Sequence, residues 1–133
     1  MFTVTFPGGV AVDTIVRGHT IHTDQPATAG GSDSGPSPFD LFLASLTACA
    51  GYYALRFCQE RHIPTEGLGV TLTPERVDGR LAKIRLDVTT PPEFPAKYRD
   101  AILRAVDHCA VKRAIIDPPA FDVRVVEAGV VTA

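Results

Sequence analysis

The alternation of apolar and polar positions divides the first part of the chain into three short strands and a loop. Three β-rich runs are separated by close turns, which is typical of an antiparallel meander. They read FTVTF, VAVDTIV and HTIHTD, at residues 2–6, 10–16 and 19–24. Residues 25–38 are rich in Gly, Ser and Pro and predict a loop. A meander this small is marginal alone, so we expect it to share one domain with the rest.

The next segment predicts one long apolar helix over residues 38–61. Pro38 suits the first helical position, and Ser37 suits the N-cap. Residues 41–55 carry no charge. This uncharged stretch is shorter than the roughly 20 residues that a membrane-spanning helix needs. We therefore expect a helix that is buried inside a soluble protein.

The second half of the chain predicts a β-hairpin, two helices and a closing strand. The hairpin signal is strong, because an Asp-Gly pair at 78–79 joins two alternating runs. In chain order, these elements lie at 67–77, 80–90, 96–109, 110–116 and 120–127. Strands and helices do not alternate in βαβ order, which indicates an α+β fold. We expect a single domain that covers residues 1–133.

Composition and charge exclude several classes of function. The net charge is −2 with no long basic run, which disfavours sequence-independent nucleic-acid binding. Three cysteines are too few, and odd in number, for a disulfide-stapled secreted scaffold. The N-terminus lacks the pattern of a signal peptide. We expect a cytoplasmic protein with reduced thiols and neither nucleic-acid nor membrane partners.

The cysteines are the first candidates for chemistry. Cys49 and Cys58 cannot bond to each other within a continuous helix, because about 13 Å of helix axis separates them. Cys58 is therefore expected to pack in the core. Cys109 lies at the break between the two later helices. Spacing alone leaves open whether Cys49 and Cys109 form a redox pair or remain separate buried thiols.

Several motifs together resemble the OsmC/Ohr family of thiol peroxidases. They are Gly18-His19, Asp24, the stretch GGSDSGPSPFDLFLASLTAC at 30–49, and VDHCAV at 106–111. The resemblance covers about residues 11–126 and is closest to the OsmC-like branch. It implies antiparallel sheets wrapped around long, central, cysteine-bearing helices in an intertwined homodimer.

The same resemblance implies a reaction and the residues that perform it. Cys49 would be the peroxidatic thiol, which attacks an organic or hydrogen peroxide and becomes a sulfenic acid. Cys109 would be the resolving thiol, and a dithiol would then reduce the disulfide. This cycle implies no metal, flavin or haem cofactor, and the chain shows no Gly-rich phosphate loop after a strand.

An arginine beside Cys49 would favour its thiolate, because a guanidinium is always charged. The resemblance points to Arg17, at the turn between the second and third strands, while helical spacing offers Arg56 as an alternative. The chain departs from the peroxide-specialised branch at Phe39, where that branch places a glutamate. Asp40 follows one position later and suits a cap at the helix N-terminus.

Aromatic residues on the cysteine helix are candidates for a substrate pocket as well as for packing. They are Phe39, Phe42, Tyr52 and Tyr53. A second function remains open, namely a redox-sensitive dimeric protein that binds an apolar ligand without efficient turnover. Two other candidates are weaker: His19 and His22 fall on opposite faces of a strand, and His108 suits a helix surface.

Overall fold

The computed structural model describes residues 1–129 and shows a mixed α+β fold with two antiparallel sheets. Its strands are β1 (Thr3–Gly8), β2 (Ala11–Val16), β3 (His19–Thr23), β4 (Gly69–Val77) and β5 (Arg80–Thr89). Its helices are α1 (Pro38–Glu60), α2 (Arg99–Val106) and α3 (Ala110–Ile116), with short 3-10 turns at Ala27–Ala29 and Ala96–Tyr98. The α+β class and the predicted order of these elements are confirmed.

Two of the three hairpins have positive φ at both central residues of the turn. Arg17 and Gly18 join β2 to β3 with φ angles of 49° and 80°. Asp78 and Gly79 join β4 to β5 with φ angles of 52° and 77°. Positive φ at both central positions gives the turn whose twist matches that of the flanking strands. The Asp-Gly prediction is thereby confirmed, and Arg17 is held at the tip of an exposed hairpin.

A capping box begins α1 at the predicted position. The Ser37 hydroxyl accepts a hydrogen bond from the Asp40 N–H at 3.1 Å, and the Asp40 carboxylate accepts one from the Ser37 N–H at 3.0 Å. Pro38 follows the cap and needs no N–H partner. The expectation that Asp40 caps this helix is confirmed, so its carboxylate is engaged at the helix N-terminus.

The core lies where α1 packs against α2 and the β4–β5 hairpin. On α1 it is formed by Ala50, Ala54, Phe57 and Cys58, a stripe with helical spacing. Ile102 and Val106 face this stripe from α2. By length and composition α1 is apolar enough to cross a membrane. Its buried stripe is what a core helix requires, and we interpret it as one.

The prediction of a final strand is wrong for a single copy of the chain. Residues 120–127, here called the C-terminal tail, form neither helix nor strand. Phe121, Val123 and Val125 alternate along the tail and are 87%, 91% and 101% exposed. The alternating sequence is that of a strand, but a strand also needs a hydrogen-bonded neighbour, and the described residues supply none.

The predicted helix over 96–109 is also shorter than expected. A 3-10 turn precedes α2, which begins at Arg99 and ends at Val106. The chain then turns, with the N–H of His108 bonded to the carbonyl of Ala105. This break allows α3 to start in a new direction from Cys109.

The sheet of β1, β2 and β3 makes few contacts with the helices of its own chain. Phe2, just before β1, and Val4 and Phe6 on β1 alternate along the chain and are 71%, 53% and 78% exposed. We call these three residues the β1 face. An apolar patch of this kind is typical of an interaction surface.

The core predicts a large cost for truncating Ile102, which is 1% exposed. We expect Ile102→Ala to lower the free energy of unfolding by about 2–5 kcal/mol, because it leaves a cavity between α1 and α2. The conservative Ile102→Val should cost only about 0.5–1.5 kcal/mol. Urea denaturation measures both, and equal costs would contradict this account of the core.

Candidate functional site

The structure brings the free thiols of Cys49 and Cys109 close enough for each to shift the pKa of the other. Cys49 lies on α1 and is half-buried, whereas Cys109 caps the N-terminus of α3 and is 1% exposed. The packing of α1 against α2 and α3 creates this contact. Sequence spacing left the pairing open, and the tertiary structure supplies it.

The surroundings of Cys49 favour its thiolate. Burial raises the pKa of the thiol, but a hydrogen bond from the Cys109 thiol and the backbone N–H groups of Val111 and Ala110 lower it. The net effect is a pKa below the ordinary cysteine value. The first turn of α3 therefore supplies donors aimed at the sulfur, as expected at the start of a helix.

The surroundings of Cys109 favour its protonated form. Burial raises the pKa of this thiol, and the hydrogen bond to Cys49 raises it further. The Lys112 N–H, whose nitrogen lies 3.5 Å from the Cys109 sulfur, opposes this effect only in part. The two thiols thus differ in acidity, since the pKa of Cys49 is lowered and that of Cys109 is raised.

Polar side chains near the two cysteines bond to one another. The Lys112 ammonium pairs with the Asp107 carboxylate at 2.5 Å. The exposed His108 ring accepts a hydrogen bond from the Arg113 guanidinium at 3.0 Å. His108 is thus a surface residue of the α2–α3 turn, in agreement with the simpler interpretation of the sequence.

The third thiol belongs to the core. Cys58 is fully buried among the residues that join α1 to α2. Burial raises its pKa, and the nearby Arg61 charge offsets this only partly. Such a thiol is a poor nucleophile at neutral pH, as expected for a packing residue.

Neither candidate arginine contacts a cysteine among the described residues of this chain. Arg17 is exposed at the tip of the β2–β3 hairpin. The Arg56 guanidinium bonds to the side chains of Gln59 and Glu60, at 3.2 Å each. These bonds hold Arg56 toward the C-terminal end of α1 and away from Cys49.

An apolar cavity of about 550 Å³ lies between α1, β5, α2 and α3. Neither Cys49 nor Cys109 lines it, but Leu46 and Lys112, each three positions from one of these cysteines, do. Phe42 and Leu46 reach it from the face of α1 that carries Cys49. Its other apolar walls are Leu81, Ala82, Ile84, Leu86, Val88, Leu103, Val106, Ile115 and Ile116, with Lys83, Asp107 and Lys112 among the lining residues. Concave, largely apolar sites of this size suit small apolar ligands.

The four predicted aromatic residues occupy two different places. Phe42 lines the cavity, and the Phe39 ring lies 5.4 Å from the Phe42 ring. The Arg76 guanidinium lies 5.1 Å from the Phe39 ring centroid. Tyr52 and Tyr53 instead form an edge-to-face pair with ring centroids 5.2 Å apart, and neither lines this cavity.

Asp24 organises the loop before α1, a role that the sequence analysis missed. Its buried carboxylate accepts hydrogen bonds from the N–H groups of Gln25, Ser32 and Ser34 and from the Ser34 hydroxyl. These bonds, led by the Ser34 hydroxyl, lower the pKa of Asp24 to about 2. An acidic residue followed by a serine-rich loop was the available signal, because aspartate is a strong acceptor for turn N–H groups.

No metal centre accompanies the thiols in residues 1–129, where no group of three or more His, Cys, Asp or Glu side chains is placed to hold an ion. His19 and His22, three positions apart on β3, do not converge on a common point. His22 instead pairs with Asp13 on the neighbouring strand.

Comparison with known proteins identifies a family. The family model described as OsmC-like protein matches residues 31–124, from the loop before α1 into the C-terminal tail. A search of curated proteins gave no significant match.

Solved structures with the same fold include proteins from three bacteria. A protein from Psychrobacter arcticus 273-4, described as an osmotic stress induced and detoxification response protein, is 22% identical over 85% of each chain, with a TM-score of 0.73. An organic hydroperoxide resistance protein OsmC from Legionella pneumophila is 18% identical over 86% of this chain and 88% of its own, with a TM-score of 0.54. At this level of identity the likeness shows the fold.

The third is an organic hydroperoxide resistance protein from Vibrio cholerae, solved with captopril in one of its active sites. It is 20% identical over 86% of this chain and 83% of its own, with a TM-score of 0.54.

The loop chemistry predicts an acid-dependent loss of stability. The pKa of Asp24 is lowered in the folded state, so its contribution is present above about pH 4 and is lost as the pH falls toward 2. We expect Asp24→Asn to melt at a lower temperature than wild type near neutral pH, with the difference shrinking over that range. The exposed Asp33→Asn, in the same loop, is the control. A difference that persists at pH 2 would contradict the assignment.

The thiol environments predict different alkylation profiles. We expect the rate at Cys49 to reach half its maximum at a pH below that of an ordinary cysteine, and the rate at Cys109 above it. Cys109→Ala should raise the Cys49 midpoint, because it removes a donor, whereas Cys109→Ser retains a hydroxyl donor and should raise it less. Iodoacetamide labelling with peptide mapping across pH measures these values. A Cys49 midpoint at or above that of Cys109 would exclude the proposed asymmetry.

Proposed function

We propose that this chain, which belongs to the OsmC-like protein family, is a thiol-dependent peroxidase. Its proposed substrates are organic hydroperoxides and also hydrogen peroxide, which is smaller. The feature that carries this proposal is the meeting of Cys49 and Cys109 where α1 packs against α2 and α3, with opposite shifts in the pKa of the two thiols. A nucleophile and its resolving partner need this difference, because only one thiolate attacks first.

The proposed cycle consumes one peroxide and two electrons. The Cys49 thiolate attacks the terminal oxygen of ROOH, the O–O bond breaks, and the leaving alkoxide takes a proton to become ROH. Cys49 is left as a sulfenic acid. The Cys109 sulfur then attacks the Cys49 sulfur and expels hydroxide, which leaves as water after protonation, and a disulfide forms. A dithiol reductant returns both thiols by exchange.

The contact between the two thiols supports rapid resolution. A sulfenic acid that meets a thiol at once condenses with it before a second peroxide can oxidise it further. Because the two thiols already lie close enough to shift each other's pKa, little motion separates the two steps. The apolar cavity between α1, β5, α2 and α3 favours substrates with an alkyl group over water-like ones.

We assign the arginine of the site to Arg17 of a second subunit in a homodimer. Arg17 projects from a sheet that makes few contacts with its own helices. The exposed β1 face and the exposed alternating side chains of the C-terminal tail provide surfaces for a second copy. The proposal further includes a cytoplasmic location, where dithiol reductants keep thiols reduced.

A second function is favoured by one observation. At Phe39, the position at which the peroxide-specialised branch has a glutamate, the structure has an aromatic ring near Arg76 and tilted by 49° to the Phe42 ring. This ring adds apolar surface beside the cavity and provides no carboxylate to hold an arginine. A redox-sensitive protein that binds an apolar ligand, without efficient turnover, would use the same cavity.

Thiol counting after one equivalent of cumene hydroperoxide tests the hypothesis that the protein is a peroxidase. We expect wild type to lose two thiols rapidly as a Cys49–Cys109 disulfide, and Cys58→Ser to do the same. Cys49→Ser should lose none, and Cys109→Ser should retain a sulfenic acid that dimedone traps. Survival of all three wild-type thiols, while a reference peroxidase reacts, would reject turnover. Ligand binding that is unchanged in the cysteine variants would then favour the second function.

Arg17 provides a further test of the assembled site. We expect Arg17→Asn to slow the reaction of Cys49 with peroxide by about tenfold or more. The reason is that an adjacent positive charge lowers the pKa of a thiol by roughly one unit or more. Asparagine tolerates the positive φ of this turn. Arg56→Asn is the matched control and should react at the wild-type rate. If the Arg56 variant reacts slowly and the Arg17 variant does not, Arg56 and not Arg17 is the arginine of the site.

A further inference from the structure

Four side chains between the first sheet and the loop before α1 form one continuous hydrogen-bonded network. His22 on β3 lies opposite Asp13 on β2 in the strand register. Its Nδ1 atom lies 2.5 Å from an Asp13 oxygen, and its Nε2 atom lies 2.9 Å from the Ser34 hydroxyl. The Ser34 hydroxyl lies 2.7 Å from an Asp24 oxygen. The network thus runs from strand to strand and into the loop.

The connectivity of Asp13, His22 and Ser34 is that of a hydrolase triad, but the fourth member changes the assignment of protons. A triad requires the serine hydroxyl to donate to the histidine. Here the hydroxyl donates to Asp24, whose pKa is about 2 and which is therefore an acceptor only. A hydroxyl has one hydrogen, so the Ser34 oxygen must accept from His22 Nε2–H.

The other side of the ring leads to the same protonation state. The Asp13 carboxylate is also an acceptor only, so His22 Nδ1 must carry a hydrogen as well. The form that satisfies every partner is the doubly protonated, positively charged ring. The groups that face it are Asp13 from β2 and, through Ser34, Asp24 from the loop. His19 shares its strand.

The loop is fitted closely around this ring. A Cβ atom added at Gly35 would lie 2.7 Å from a carbon of the His22 ring. The Asp24 N–H donates to the Pro36 carbonyl at 3.1 Å, directly before the Ser37 cap of α1. The ring therefore touches the segment through which the chain enters the cysteine helix.

We propose that protonated His22 is a positioning residue that ties the loop of residues 25–36 to the first sheet, and that loss of its proton releases this tie. When His22 is neutral, Ser34 has one hydrogen for two acceptors, His22 Nε2 and Asp24, and one of the bonds is lost. The tie is complete at lower pH and is lost as the pH rises through the titration of the ring. Its pH dependence is opposite in sign to that of Asp24 alone.

The consequence for the thiol reaction rests on the proposed function. The tie joins the sheet that carries the Arg17 hairpin to the start of the helix that carries Cys49. Release of the loop should therefore loosen the orientation of that sheet relative to the start of α1 without touching either sulfur. Loop order can be measured without peroxide, so failure of the peroxidase proposal and failure of this one are distinguishable.

Nitrogen NMR of the His22 ring and hydrogen exchange of residues 25–36 test the proposal together. We expect both ring nitrogens to carry protons in the ordered form. Loop exchange should accelerate several-fold, beyond the intrinsic effect of pH, over the same range in which the ring loses its charge. In His22→Ala and in the milder Ser34→Ala, exchange should be fast at every pH and lack this step. His19→Ala, on the same strand, should retain it.

Two results would overturn the inference. One is a His22 ring that carries a single proton throughout the pH range in which the loop is ordered. Labelling of Ser34 by a fluorophosphonate would strengthen that result, because a singly protonated histidine beside a reactive serine describes a hydrolase triad. The other is a loop whose exchange shows the same pH profile in wild type, Ser34→Ala and His22→Ala. Asp13→Asn adds a graded check, because it should move the step to lower pH.

Discussion

The close packing of α1 against α2 is the interaction on which the rest of the structure depends. Small side chains at Ala50 and Ala54 are fully buried and let the two helices approach, while Phe57 and Ile102 fill the space beside them. Because α2 ends where it does, the chain turns and presents Cys109 and the first N–H groups of α3 to Cys49. The chemistry of the thiol pair is thus a consequence of helix packing.

The asymmetry of the two sulfurs follows from where each lies relative to α3. Cys109 is the cap itself, buried and within reach of the Lys112 N–H, whereas Cys49 approaches from another helix and receives donors from Ala110 and Val111. Donors aimed at a sulfur stabilise its thiolate, and burial without enough donors stabilises the thiol. One helix start therefore serves both members of the pair.

The first sheet and the loop after it are organised by polar contacts where the rest of the fold relies on apolar ones. Asp24 and Ser34 shape the loop, and His22 and Asp13 connect it to the strands. This half of the chain leaves the β1 face exposed and holds Arg17 away from its own thiols. Within residues 1–129 of one subunit, neither Arg17 nor Arg56 contacts the two sulfurs, which is why the proposed site extends to a second copy.

The sequence by itself determined the elements and their local chemistry, because these depend on neighbours along the chain. The cap at Ser37 and Asp40, the Asp78-Gly79 turn and the α+β order all follow from short-range patterns, and the OsmC-like resemblance follows from a motif that is contiguous around Cys49. The tertiary structure decided the rest. The meeting of Cys49 with Cys109, the network of His22 with Ser34 and the cavity at Phe42 join residues that are distant in the chain. The C-terminal tail shows the same limit, since its alternation specifies a strand but a strand requires a neighbour that only the assembled structure can provide.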